Sequence, residues 1–185
     1  MRIVGGRLRG RALAAPKSQA IRPTADRLRE SLFNILMHAY ADAISGARVL
    51  DLFAGTGALG LEAISRGAAF ALFVDDGAEA RALLRQNVEA LSLGAVARIF
   101  RRDATKLGPA HPVEPFSLAF LDPPYGKGLA EKALTSARDG GWLTGDGLIV
   151  VEEAAAAGFK APEGYEEIER RKYDDTEFVV LRRGK

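Results

Sequence analysis

The sequence predicts an α/β protein, a doubly wound and mostly parallel seven-stranded sheet with a basic N-terminal β-arm and a helix in front of it. Three observations lead there. Val49 to Gly60 reads as strand, tight turn and helix, with glycines at Gly55, Gly57 and Gly60. Four successive apolar runs each close on an aspartate, Asp51, Asp75, Asp103 and Asp122, at what becomes the carboxyl edge of a parallel sheet, where such folds bind ligands. After five β-then-α units the chain ends in two strands with no helical pattern between them, so the last strand is expected to insert antiparallel.

The glycine turn implies a ligand. Gly55 and Gly57 lack the Cβ atoms that would hold a ligand off the backbone, and Gly60 lets the helix pack close to the strand it has just left. The same spacing marks dinucleotide sites, whose pyrophosphate lies at the helix N-terminus. Asp51 argues against a diphosphate, because a carboxylate four residues before the first glycine adds negative charge beside it. It suits the ammonium and sulfonium of S-adenosylmethionine. The bland alternative is a turn between a core strand and a core helix, with no ligand.

A cysteine-free chain of 185 residues can bury a core as one domain, without disulfides or metal. No apolar run approaches a membrane span and no h-region follows the N-terminus, so the chain reads as a soluble cytoplasmic protein, a monomer with no membrane partner. The overall charge is +2, yet residues 1–30 carry +6 and the rest −4. A basic arm on a near-neutral body suits phosphate contacts, with Arg7, Arg9, Arg11, Arg22 and Arg27 as candidates; a solvated, frayed terminus is the other reading.

In chain order, Gly5-Gly6 and Gly10 punctuate short basic and aliphatic pieces, which suits a β-ribbon or extended arm over residues 1–22. Arg22-Pro23-Thr24 reads as a helix start, and Leu28, Leu32, Ile35, Leu36, Ala39 and Tyr40 set an amphipathic helix from Ala25 to about Asp42, closed by Ser45-Gly46 within an extension over residues 23–45. Phe70 to Val74 is a second strand and Ala78 to Leu91 a helix. Asp75 lies 20 residues beyond Gly55, where an acid of this fold class accepts from a ribose diol; an N-cap is its other role. Ala97 to Arg102 is a third strand ending at Asp103-Ala104, and Pro109, Pro112 and Pro115 make residues 105–115 a loop or short helical turn. Phe116 to Leu121 is a fourth strand, Leu129 to Arg138 a helix, and Leu148 to Val151 a fifth strand. Glu166 to Tyr173 and Glu177 to Arg182 close the sheet. His38 and His111 read as surface histidines, and no metal ligand set is present.

The fourth strand delivers Asp122-Pro123-Pro124-Tyr125. The exocyclic amine of a nucleobase is a poor nucleophile because its lone pair is delocalised into the ring. Two acceptors aimed at its N–H bonds favour the pyramidal geometry in which that pair points at a methyl donor. Asp122 offers one acceptor and the Pro123 carbonyl the other, both held extended by the prolines, and Tyr125 would stack on a base swung out of its helix or loop.

Asp51-Leu52-Phe53-Ala54-Gly55-Thr56-Gly57 and Asp122-Pro123-Pro124-Tyr125 resemble the cofactor and catalytic motifs of class I (Rossmann-like) S-adenosylmethionine-dependent amino-methyltransferases. More narrowly, Arg22-Pro23-Thr24 through Asn34, Gly57 to Ala63 with Ser65 to Ala68, and Tyr173 to Thr176 resemble the bacterial family that methylates guanine N2 in 16S ribosomal RNA, over almost the whole chain. The resemblance implies that Asp51, Phe53, Gly55 and Gly57 cradle the methionine half of the cofactor, Asp75 its ribose, and Asp103 with Ala104 its adenine. It implies Asp122, Pro123 and Tyr125 as catalytic residues and 16S rRNA or a small-subunit assembly intermediate as partner. Two positions depart from the family: Asp75 stands in place of glutamate, and Asp174 in place of glycine, where aspartate tolerates left-handed backbone angles. Rival readings are a DNA adenine-N6 methyltransferase, an inactive nucleic-acid-binding module, and an NAD-linked oxidoreductase.

Overall fold

The computed structural model describes residues 1–14, 16 and 26–184. Its elements are α1 (Asp26–Ala39), β1 (Arg48–Leu52), α2 (Ala58–Ser65), β2 (Phe70–Val74), α3 (Ala78–Ala90), β3 (Ala97–Phe100), β4 (Phe116–Leu121), α4 (Leu129–Gly140), β5 (Leu143–Ala154), β6 (Tyr165–Tyr173) and β7 (Thr176–Arg183). They form one seven-stranded sheet in the order β3-β2-β1-β4-β5-β7-β6, parallel from β3 to β5 and antiparallel where β7 enters between β5 and β6.

The central strands read as near-continuous apolar runs because both sheet faces are covered. Successive residues then enter opposite cores. Val49, Phe73, Leu118 and Phe120 face the side packed by α1, α2 and α3. Leu50, Leu52, Val74 and Leu121 face the side packed by α4 and Trp142. Among the described residues, no helix is long and apolar enough to cross a membrane.

Three expectations change. β3 stops at Phe100, short of Arg102, before the expected loop, and β5 leads into a 3₁₀ turn, Ala155–Ala157, so among the described residues α-helices follow β1, β2 and β4 and not all five parallel strands. The prolines after β3 and left-handed Gly158 (φ 69°) account for both. Helix α1 ends at Ala39 because Ala41 and Asp42 turn left-handed (φ 52° and 51°), and the Asp42 carboxylate takes the Ile44 and Ser45 amides. The proposed start at Arg22-Pro23-Thr24 lies outside the described residues.

The N-terminal segment is the third. It does pair antiparallel at Arg2 and Ala12, with the Ile3 amide on the Arg11 carbonyl and the Leu13 amide on the Met1 carbonyl, both 2.9 Å, but it is no free arm, since Ile3, Leu8 and Leu13 are buried in the first core. A Cβ on left-handed Gly6 would stand 2.0 Å from the Ser65 carbonyl oxygen, so only glycine lets the segment lie this close on α2. Glu62 ties it down. Fully buried, its carboxylate accepts the Val4 amide (3.0 Å), the Gly5 amide (2.9 Å), Arg29 Nε (3.2 Å) and Arg66 Nε (2.8 Å). Arg29 is equally buried, so it belongs to the core and not to a solvated basic arm.

Removing one partner of a buried ion pair strands the other charge. Glu62→Ala should therefore cost about 3–5 kcal/mol of stability. Urea unfolding checks this, and a loss below about 1 kcal/mol would show that the segment and α1 are held by apolar packing alone.

Candidate active site

The chain steps outward from β1 to β2 and β3, then returns to β1's other side for β4. The connections after β1 and β4 therefore diverge, and a crevice opens between them at the carboxyl edge of the sheet. One wall is the glycine turn after β1. The other is Asp122-Pro123-Pro124-Tyr125 after β4.

Two aspartates hold the glycine turn. Asp51 is 1 % exposed and its Oδ2 accepts the Gly60 amide of α2 at 3.0 Å. That approach needs glycine, since a Cβ on Gly60 would lie 2.4 Å from the Phe73 ring. Asp75 accepts the Gly55 amide on one oxygen (3.0 Å) and the Gly77 amide on the other (2.8 Å), which ties the turn to the start of α3. Phe53 is forced left-handed (φ 56°), a costly conformation for a bulky residue and of the kind that collects at ligand sites. Burial pushes the Asp51 carboxyl from 3.8 to about 8, with the Asp75 charge adding to the rise and the Gly60 hydrogen bond opposing it.

Two clefts result. A cavity of about 350 Å³ is lined by Asp51, Phe53, Gly55, Asp75, Asp122 and Pro123. A second, about 230 Å³, is lined by Phe53, Asp75, Asp103, Ala104 and Pro124. Shared walls at Phe53, Asp75 and Pro124 join them. Asp103 Oδ1 accepts both the hydroxyl and the amide of Thr105, which holds its carboxyl below the usual range.

Gly57 and Tyr125 line neither cleft. The bare Cα of Gly57 serves packing, because a Cβ there would stand 2.3 Å from Leu84 Cδ1 of α3. Half-buried Tyr125 donates its hydroxyl to Glu152 Oε1 (2.8 Å) and contacts Thr176 Oγ1 (2.9 Å), and burial pushes its phenol up to about 12. Glu152 and Glu153, both buried at the end of β5, are functional candidates that sequence reasoning missed. The rule of acids at strand ends could have found them. Arg7, Arg9 and Arg27 are exposed; Arg11 is exposed and also donates to the Ala90 carbonyl at the end of α3 (2.8 Å). Arg22 lies outside the described residues. Among the described residues, no group of acids and histidines could hold a metal ion.

The sheet order, the glycine turn and the paired clefts define a class I S-adenosylmethionine-dependent methyltransferase. The family model described as Conserved hypothetical protein 95 matches residues 1–182, and the chain belongs to that family. It is 42% identical over 158 residues, 85% of this chain and 77% of the relative, to Ribosomal RNA small subunit methyltransferase D of Escherichia coli K12. The protein of the same name in Haemophilus influenzae is 34% identical over 89% of this chain and 84% of its own length. The solved structure of an Escherichia coli protein described as a methyltransferase, yhhF, superposes with a TM-score of 0.85 at 34% identity, covering 100% of this chain and 98% of that one.

The raised Asp51 value has a stability consequence. The group binds its proton more tightly folded than unfolded, so its contribution is full below the unfolded value of 3.8 and is lost as pH rises through about 8. Asp51→Asn keeps the acceptor for Gly60 and removes the titration. Relative to wild type, the ligand-free variant should gain in melting temperature as pH rises from about 4 to about 8. Parallel melting curves across that range would refute it.

Proposed function

We propose that this chain transfers a methyl group from S-adenosylmethionine to the exocyclic N2 amine of a guanine in 16S ribosomal RNA. The observation that carries the reading is the common cleft. Asp122 and Pro123, at the end of β4, line the same cavity as Asp51 and Gly55, which brings amine acceptors and the cofactor turn to one crevice. The relatives' activity, ribosomal RNA small subunit methylation by name, supports the substrate class.

The residues present fit the cofactor. Asp51, Phe53 and Gly55 would hold its methionine half, Asp75 its ribose, and Asp103 with Ala104 its adenine. Bound there, S-adenosylmethionine supplies a methyl carbon on a sulfonium sulfur, and the carbon–sulfur pair returns to sulfur as the nitrogen takes the carbon. Asp122 and the Pro123 carbonyl accept the two N–H bonds of the amine, so its lone pair turns out of the ring plane. The Asp122 charge stabilises the positive charge that grows on nitrogen. The alkylated amine is a strong acid and loses its proton to solvent without a dedicated base. Tyr125 offers its ring to the base. Arg7, Arg9, Arg11, Arg22 and Arg27 serve RNA phosphates, and the whole chain works as one methyltransferase domain.

Asp122→Ala should lower single-turnover methylation of 16S rRNA or of assembly intermediates by about 10²–10³-fold with the fold intact. Nucleoside mass spectrometry of the product should give N2-methylguanosine. N6-methyladenine, or a fully active Asp122→Ala enzyme, would overturn the assignment.

Neutralising Arg7, Arg9 and Arg27 together should weaken RNA binding and flatten the log–log salt slope by about 2, at about 0.7 per phosphate contact, while the melting temperature stays near wild type. An unchanged slope in a filter-binding titration would remove these arginines from the interface.

A further inference from the structure

We propose that Glu152 and Thr176 are positioning residues for methyl transfer that act through Tyr125, fixing the plane of its ring and with it the plane of the base stacked there. The inference rests on the function proposed above and adds two residues that touch neither cleft wall.

The hydrogen bonds have a direction. A carboxylate only accepts, so the Tyr125 hydroxyl donates to Glu152 Oε1 at 2.8 Å, and the Thr176 hydroxyl, 2.9 Å away, is left to donate to the Tyr125 oxygen. Two partners on one phenol oxygen hold the ring at its far end, where stacking alone would leave it free to tilt. The near end needs the help. On one side Pro123 and Pro124 stiffen the backbone, but on the other Gly126 and Gly128 are both left-handed (φ 73° and 67°), and glycines define a backbone poorly by themselves. The neighbouring acid answers this: Glu153 Oε1 accepts the Gly126 amide at 3.0 Å. The loop that carries Asp122 is thus braced twice from the end of β5.

The register of the closing strand makes the brace possible. β5 pairs antiparallel with β7, Glu152 opposite Phe178 and Ala154 opposite Thr176, so Glu152 and Thr176 lie diagonally on one sheet face. Glu152 is nearly buried, and a carboxylate is costly to keep there unless its hydrogen bonds are made. A ring of fixed plane matters because the base resting on it must present its amine to Asp122 and the Pro123 carbonyl together, and small misplacements of reacting groups cost rate steeply.

The test is single-turnover methylation at saturating 16S rRNA and S-adenosylmethionine with Tyr125→Phe, Glu152→Met, which removes the acceptor, Thr176→Val and the double variant Tyr125→Phe with Glu152→Met. Each single change should slow methyl transfer by about tenfold while cofactor affinity in calorimetry stays at the wild-type value. The double variant should be no slower than the slower single, since the same brace is removed in both. Multiplying effects would mean that Glu152 acts elsewhere, and wild-type rates in Glu152→Met would equally overturn the proposal. A second readout needs no substrate. The Tyr125 ¹³Cζ NMR signal, assigned through its loss in Tyr125→Phe, should move in Glu152→Met and in Thr176→Val, and an unmoved signal would also overturn it. If the wild-type protein methylates no rRNA while the signal moves, the function proposed above fails and the bracing of Tyr125 is upheld.

Discussion

A carboxyl group buried beneath a glycine is the constraint from which the rest of this structure follows. Asp51 has almost no solvent, and the Gly60 amide is the hydrogen bond that makes its burial tolerable. Satisfying it pulls the first turn of α2 down onto β1, where Phe73 leaves no room for a Cβ. The chain between strand and helix must then rise over the edge of the sheet. Asp75 catches it at the Gly55 amide, and the strain of that passage shows in left-handed Phe53. The clefts that suit an elongated cofactor are the space this turn leaves in front of β4.

Much of this was legible because strands buried on both faces have to be apolar. Phe70–Val74 and Phe116–Leu121 fall where the sequence puts them, and the insertion of the last strand follows from two closing strands with no helix between them. Asp174 adopts the left-handed angle (φ 53°) that its place in a glycine position implies. The failures concern charge. Arg29 contributes to the basic charge of residues 1–30 and nothing local marks Glu62, yet each is buried against the other across 33 residues of sequence. Local pattern carries no sign of such a partner. Glu152 and Glu153 directly follow the expected strand end at Val151, but the strand-end pattern rests on aspartates alone, and β5 carries both acids on to Ala154.

Burial of Glu62 also changes what the basic segment can be. Its backbone is bonded to Glu62 and Ser65, its aliphatic side chains are core, and only Arg7, Arg9 and their neighbours project outward. On the function proposed above, this hydrogen-bonded backbone would offer Arg7 and Arg9 to RNA phosphates with little ordering entropy left to lose. It also touches the cofactor turn. Asn87, buried, accepts the Ala14 amide at 2.7 Å and donates to the Thr56 carbonyl at 2.9 Å, and the Thr56 hydroxyl reaches the Met1 sulfur.

The two ends of the chain thus meet at one crevice from opposite sides. The N-terminal segment supports the glycine turn through Asn87 and Thr56, and the C-terminal strand supports the Asp122 loop through Thr176 and the acids of β5. Antiparallel insertion is what makes the second support available. A last strand running parallel would deliver its final residues to the carboxyl edge, whereas β7 delivers its first, Thr176, immediately after the left-handed turn at Asp174. The hairpin closes tightly, so that turn fixes the height at which Thr176 meets Tyr125. On the function proposed above, the geometry presented to a substrate base would depend in this way on the last strand pair as much as on the Asp122 and glycine motifs.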